Sequence, residues 1–157
     1  MESVRFVSLP TEIVRAYRAG ALDANGQKPE RHISDGDGVP CRHCQRDVAA
    51  GEAYLILAYR PFDAAQPYAE VGPVFLHAEP CERYPITGET PAMFLRRERY
   101  LLKGYHPNDR IYYGTGRIVP SAEVAAAAAE ILARPDVAYV HVRSALNNCY
   151  QCRIERG

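Results

Sequence analysis

The sequence predicts an α+β fold in which a mostly antiparallel sheet carries two helices. Three observations predict it. Short apolar runs bounded by Gly, Pro and Asn recur after residue 44, as strands do. Only two segments place their apolar residues at helical spacing. The 157 residues are of ordinary globular composition, 47% hydrophobic and 24% charged, and are enough to bury one core, so a single domain over 1–157 is expected.

Taken in order, residues 1–37 read as a lead-in of one helix and a loop. Ile13, Val14 and Tyr17 share a side of a helix over Thr11–Arg18, which Gly20 stops. Residues 23–40 are rich in Gly, Asp and Pro and read mostly as loop. The turn-like run Ser34-Asp35-Gly36-Asp37-Gly38 lacks the glutamate that closes a calcium loop. Strands are expected at Ala53–Tyr59 and at 71–76, followed by a hairpin of 100–105 and 111–119 around His106-Pro107-Asn108-Asp109. Gly114-Thr115-Gly116 is too short for a phosphate loop and marks a strand irregularity. Ser121 caps the second helix, with Val124, Ile131 and Leu132 on one face and Pro135 at its end. Residues 137–144 then form a strand, Asn147-Asn148 a turn, and 150–155 the last strand.

Charge excludes some classes of function. The formal net charge is zero, and residues 1–79 hold 8 basic and 11 acidic residues against 11 and 8 in 80–157. That is far from the footprint of a nucleic-acid binder. The local run Arg96, Arg97, Arg99 and Lys103 is interrupted by Glu98 and reads as a solvated face. No apolar stretch approaches the roughly 20 residues of a membrane span. Residues 1–6 lack the basic start and apolar run of a signal peptide, so a cytoplasmic protein with no membrane partner is expected. Nucleotide-binding and serine-hydrolase signatures are missing from the sequence.

The chemistry lies in the five cysteines. Cys41-Arg42-His43-Cys44 and Cys149-Tyr150-Gln151-Cys152 are C-x-x-C pairs, and His77 stands four residues before Cys81. In a reducing compartment such clusters read as metal-binding or redox-active rather than as structural disulfides. Two intervening residues let a tight turn aim both sulfurs at one point, so 41–44 reads as a zinc-knuckle-like loop that needs two more ligands. His77 and Cys81 complete a site of three cysteines and one histidine. Cys149 and Cys152 complete a site of four cysteines instead, if the chain bends at Asn147-Asn148, because strand residues three apart point to opposite faces. The first set is preferred. It closes a shorter loop and gives His77 a role at the end of an apolar strand. The alternative to both is buried thiols and a satisfied core histidine. A closed four-ligand zinc is structural, and function then belongs to a binding surface elsewhere. Two further readings remain: a thiol-disulfide oxidoreductase using Cys149 and Cys152, and a thiolate protein that buffers zinc or copper(I).

A second candidate site is the strand 137–144. Alternation puts Tyr139, His141 and Arg143 on one face, beside Asn147 and Asn148. Such a face can bind an anion or move a proton, with an unknown small molecule or protein as partner; the plainer reading is a polar strand surface turned to solvent. His32, His43 and His106 read as surface loop residues.

Several of these segments carry a resemblance. Pro40-Cys41-Arg42, the run from Pro67 to Phe75, the strand from Val137 to Ala145 and Asn148-Cys149-Tyr150-Gln151-Cys152-Arg153 together resemble the bacterial "domain of unknown function 1203" family over roughly residues 38–156. The resemblance implies a single bacterial domain and carries no assigned activity. The commoner family pattern has Cys41 without Cys44, His77 and Cys81 together, so the metal site reads as an addition in a cysteine-richer subgroup.

Overall fold

The computed structural model describes residues 3–157; Met1 and Glu2, part of the segment weighed above for a signal peptide, lie outside it. Among the described residues, eight strands form two antiparallel sheets. The larger has the spatial order β1-β8-β7-β5-β6, from β1 (Val4–Val7), β5 (Arg99–Tyr105), β6 (Arg117–Pro120), β7 (Tyr139–Ser144) and β8 (Tyr150–Arg156). The smaller has the order β2-β3-β4, from β2 (Glu30–Ile33), β3 (Ala53–Tyr59) and β4 (Gly72–His77). Helix α1 (Thr11–Arg18) follows β1, and α2 (Val124–Leu132) precedes β7. The α+β expectation holds.

The sequence reading gives neither β1 nor β2. Both are four-residue edge strands, and β2 is exposed at every position, so no apolar run or alternation marks it. The expected hairpin is present, but its second arm is shorter. Ile111 pairs with Tyr105 in a single bridge, the chain turns through Tyr112–Thr115, and β6 begins only at Arg117. The Thr115 hydroxyl holds that turn by donating to the Tyr112 carbonyl at 2.6 Å and accepting from the Gly104 N–H at 2.9 Å.

One face of the five-stranded sheet is apolar. Phe6, Leu102, Val140, Val142, Cys152 and Ile154 are buried there against Ala127, Ala128, Ile131 and Leu132 of α2. The alanines bring the helix close. A Cβ added at Gly104 would lie 2.9 Å from Ile131 Cγ2, so glycine is what permits this approach. The smaller sheet buries Leu55, Leu57, Val74 and Leu76 with Val14 of α1 in a second core that contains Cys41 and Cys44.

The other face of the large sheet holds Tyr139, His141 and Arg143. They share a face as alternation predicts, but it is not turned to solvent. They are 2%, 1% and 2% exposed, covered by Phe62, Tyr150 and the chain between β3 and β4. Tyr150 reaches this face through a bulge: Val142 pairs with Cys152, yet Arg143 pairs with Tyr150, leaving Gln151 as the extra residue.

Candidate metal centre

The knuckle is a tight hairpin. The Val48 N–H donates to the Val39 carbonyl at 2.8 Å, Cys41 N–H to Arg46 at 3.0 Å and Gln45 N–H to Cys41 at 3.0 Å. Gln45 sits at φ 57°, a left-handed conformation that costs a non-glycine residue about 1 kcal/mol. Its buried side chain offsets that cost. Gln45 Nε2 donates to the Arg42 carbonyl at 3.1 Å, and its Oε1 accepts from Gln151 Nε2 at 2.9 Å. Cys41 runs parallel to the edge of β4, with Arg42 N–H donating to the Phe75 carbonyl at 3.0 Å. That pairing sets the knuckle beside His77, the last residue of β4, and the His77 N–H points at Cys41 Sγ at 3.3 Å.

The four preferred residues meet. One ligand atom from each of Cys41, Cys44, His77 and Cys81 lies within 4.8 Å of all the others. Cys41 Sγ is 3.9 Å from Cys81 Sγ, and Cys44 Sγ is 3.4 Å from His77 Nδ1. A tetrahedral zinc with bonds of about 2.3 Å to sulfur and 2.0–2.1 Å to nitrogen separates its ligands by about 3.8 Å (S to S) and 3.6 Å (S to N). The observed spacings match both. The four-cysteine alternative is not assembled: Cys149 and Cys152 stand outside this cluster.

Protonation in the metal-free cluster follows from crowding. Hydrogen bonds from Cys44 and then Cys81 hold the Cys41 thiol far below its ordinary pKa. Cys44 is pushed the other way, chiefly by its bond to Cys41. His77 is pushed up to about 10, first by hydrogen bonding to Cys41. The negative Cys41 sulfur thus keeps protons on Cys44 and His77, and a metal must displace those protons to bind.

The surroundings are equally built. Arg18 of α1 donates through Nη2 to Cys81 Sγ at 3.1 Å and through Nε to the His77 carbonyl at 3.0 Å. A divalent ion with three thiolates and a neutral imidazole carries a net charge of about −1, which the Arg18 guanidinium balances. His43 is fully buried, a correction to its expected place on a surface loop. Its Nδ1 lies 3.1 Å from Cys81 Sγ and its Nε2 2.8 Å from Thr11 Oγ1. With a metal-bound thiolate, which only accepts, Nδ1–H would donate to sulfur and Nε2 would accept the Thr11 hydroxyl proton. Burial lowers the His43 pKa and favours the neutral ring. The sequence signal for His43 was its place inside the C-x-x-C turn. His32 is exposed as expected, and His106 is half-buried, stacked on Tyr112.

The knuckle also clamps the bulge in β8. Buried Arg42 donates through Nε to the Tyr150 carbonyl at 2.8 Å, beside the Gln45–Gln151 pair. Arg97, read above as part of a solvated face, forks onto Asp47 with two bonds of 2.8 Å and pins the knuckle's far end.

The two remaining cysteines part company. Cys149 is half-buried, its thiol toward the Asn147 carbonyl, whereas Cys152 is fully buried beneath α2 and burial pushes its thiol up to about 12. Asn147 and Asn148 form the expected exposed turn, with Asn148 at φ 58° and its carbonyl accepting from Arg143 Nη1 at 3.1 Å. Tyr139 donates to Asp109 at 2.7 Å, and His141 Nδ1 accepts from Arg143 Nη2 at 3.0 Å.

Fold and site together define a small two-sheet α+β protein with a Cys3His cluster spaced to hold a metal ion. Residues 38–156 match the model of the family described as "Protein of unknown function (DUF1203)", and the chain belongs to that family. Comparison with curated proteins and with solved structures gave no significant match. Arg18 and Thr11, which complete the surroundings of the cluster, lie before the matched segment.

Proposed function

We propose that this protein is a binding module whose fold is held by a structural zinc ion on Cys41, Cys44, His77 and Cys81. The observation that carries the reading is the agreement of the 3.9 Å and 3.4 Å ligand spacings with a zinc tetrahedron. Three thiolates and an imidazole suit zinc among the available divalent ions. With all four positions taken by protein there is no open one for a substrate, so the ion stabilises rather than catalyses. Its place fits that role. It ties the knuckle to β4 and α1, and the knuckle in turn clamps β8.

Binding then belongs to the cavity that Arg143, Asn147 and Asn148 line, with Tyr139 and His141 buried on the same sheet face behind it. Among the described residues no helix is long and apolar enough to cross a membrane. A cytoplasmic setting, which keeps thiols reduced, belongs to the same proposal. Elemental analysis of protein purified without added metal tests the centre. One zinc per chain is expected in the wild type and none in Cys44→Ser; a folded wild type without metal would sink the reading. A second reading, metal buffering, draws on the half-buried Cys81 and His77. Transfer of the ion to a competing chelator within minutes would favour it over a structural site.

A further inference from the structure

The buried face between the sheets is polar in an unusual way. Among the described residues, five buried side-chain atoms have no hydrogen-bond partner; Arg143 Nε, His141 Nε2 and Tyr105 Oη lie together on this face, and Arg60 Nε and Tyr100 Oη are the other two. A buried polar atom without a partner is destabilising, so a fold that gathers three of them on one face has left something unmatched there. The field is positive. Lys103, His141 and Arg153 stand side by side across β5, β7 and β8, next to Arg143. Three carboxylates answer them: Glu155 on Arg153, Asp109 on the Tyr139 hydroxyl, and Glu70 on Arg143.

Glu70 is the telling one. It is 40% exposed at its side chain, while Arg143 is 2% exposed. It comes from residues 60–71, which join β3 to β4 without regular secondary structure. That strap is anchored by Phe62 against Tyr105 and His141, by Gln66 donating to the Asp109 carbonyl, and by Tyr68 against Tyr113. Beside Glu70 lies a cavity of about 240 Å³ lined by Arg143, Tyr59, Pro61, Tyr150 and Asn148. It is smaller than the roughly 300–1,000 Å³ of sites for drug-sized ligands, so its occupant is small.

We propose that Arg143 anchors a carboxylate-binding site and that Glu70 fills it when no ligand is bound. The ligand is a small organic acid whose carboxylate replaces that of Glu70 and whose apolar body lies against Tyr59 and Tyr150. This rests on the binding-module reading and names its ligand class. The planar guanidinium matches a carboxylate with two parallel bonds. Exchange of one carboxylate for another leaves the buried charge unchanged, whereas a phosphate dianion brings a second charge with no added cation to meet it.

The test is calorimetric titration of the metal-loaded full chain with benzoate, its neutral isostere benzamide and inorganic phosphate, in the wild type and in Glu70→Gln. Benzoate is expected to bind both and at least tenfold tighter to Glu70→Gln, because a competitor that occupies Arg143 over nine-tenths of the time reduces apparent affinity by that factor. Arg143→Lys, checked for unchanged metal content, is expected to lose most of the benzoate affinity. Equal benzoate affinity in wild type and Glu70→Gln, or benzamide binding as well as benzoate, overturns the proposal. Phosphate or benzamide binding that depends on Arg143 overturns only the carboxylate class and leaves the binding-module reading standing. Silence from all three probes in both proteins overturns both.

Discussion

If the Cys3His cluster holds structural zinc, stability must follow the free-zinc concentration. An ion that binds only the folded chain adds RT ln(1 + [Zn]/Kd), about 4.1 kcal/mol at a thousand times Kd. For a chain of this size each kcal/mol moves the melting temperature by about 2–4 °C, so moving from chelated to that level raises it by about 8–16 °C. Above saturation each tenfold step in free zinc adds about 1.4 kcal/mol, or about 3–6 °C. The structure makes the coupling to the whole fold direct. Cys41 and Cys44 belong to the core that holds Leu55, Leu57, Val74 and Leu76, and Arg18 and His77 tie in α1 and β4. The assay is a thermal melt followed by circular dichroism in metal buffers spanning three decades of free zinc, with Cys44→Ser alongside. A melting temperature flat across those decades would refute the reasoning, as would a Cys44→Ser protein whose melting temperature tracks zinc like the wild type.

Other expectations follow from the same geometry. Zinc binding must expel protons held on Cys44 and on His77, whose pKa stands at about 10, so affinity falls as pH falls. Each displaced proton contributes about tenfold per pH unit, so Cys44 and His77 alone make the drop at least about a hundredfold per unit between 8 and 6, measured by competition with a chromogenic chelator; a pH-independent affinity would contradict it. Arg18→Met removes the donor to Cys81 and is expected to weaken zinc about 10–100-fold while leaving the fold intact; a change under twofold would remove Arg18 from the centre. Burial holds His141 well below its ordinary pKa, so below about pH 6.5 the unfolded chain takes up a proton that the folded one refuses, and stability is lost as pH falls. His141→Phe should flatten that acid limb by up to about 1.4 kcal/mol per pH unit in urea melts, and an unchanged limb would count against it. Alkylation of the metal-loaded protein read by mass spectrometry should mark Cys149 and spare Cys152 until unfolding; equal rates would contradict the burial of Cys152 and reopen a redox pair.

The Cys3His cluster was legible because its pairs are local. A C-x-x-C before a strand and an H-x-x-x-C after one each fix two ligands through short-range geometry. The central strands were legible through their apolar runs, and α1 through its periodicity, since hydrophobic spacing records which side of an element is buried. β1 and β2 escaped because four-residue edge strands carry too little pattern, and β2 buries none of its residues.

What the sequence determined by itself is therefore the α+β class, the four members of the Cys3His cluster and the shared face of Tyr139, His141 and Arg143. What only the tertiary structure decided is what covers each of these. Alternation places Arg143 on a face, but a second sheet and a strap separated from it by some 70 residues of chain make that face an interior. His43 looked like a loop residue until α1 brought Thr11 to its ring, and Arg18 became part of the metal centre only when the same helix docked. Burial of a polar side chain depends on contacts distant in sequence, and those leave no period in the chain that bears it.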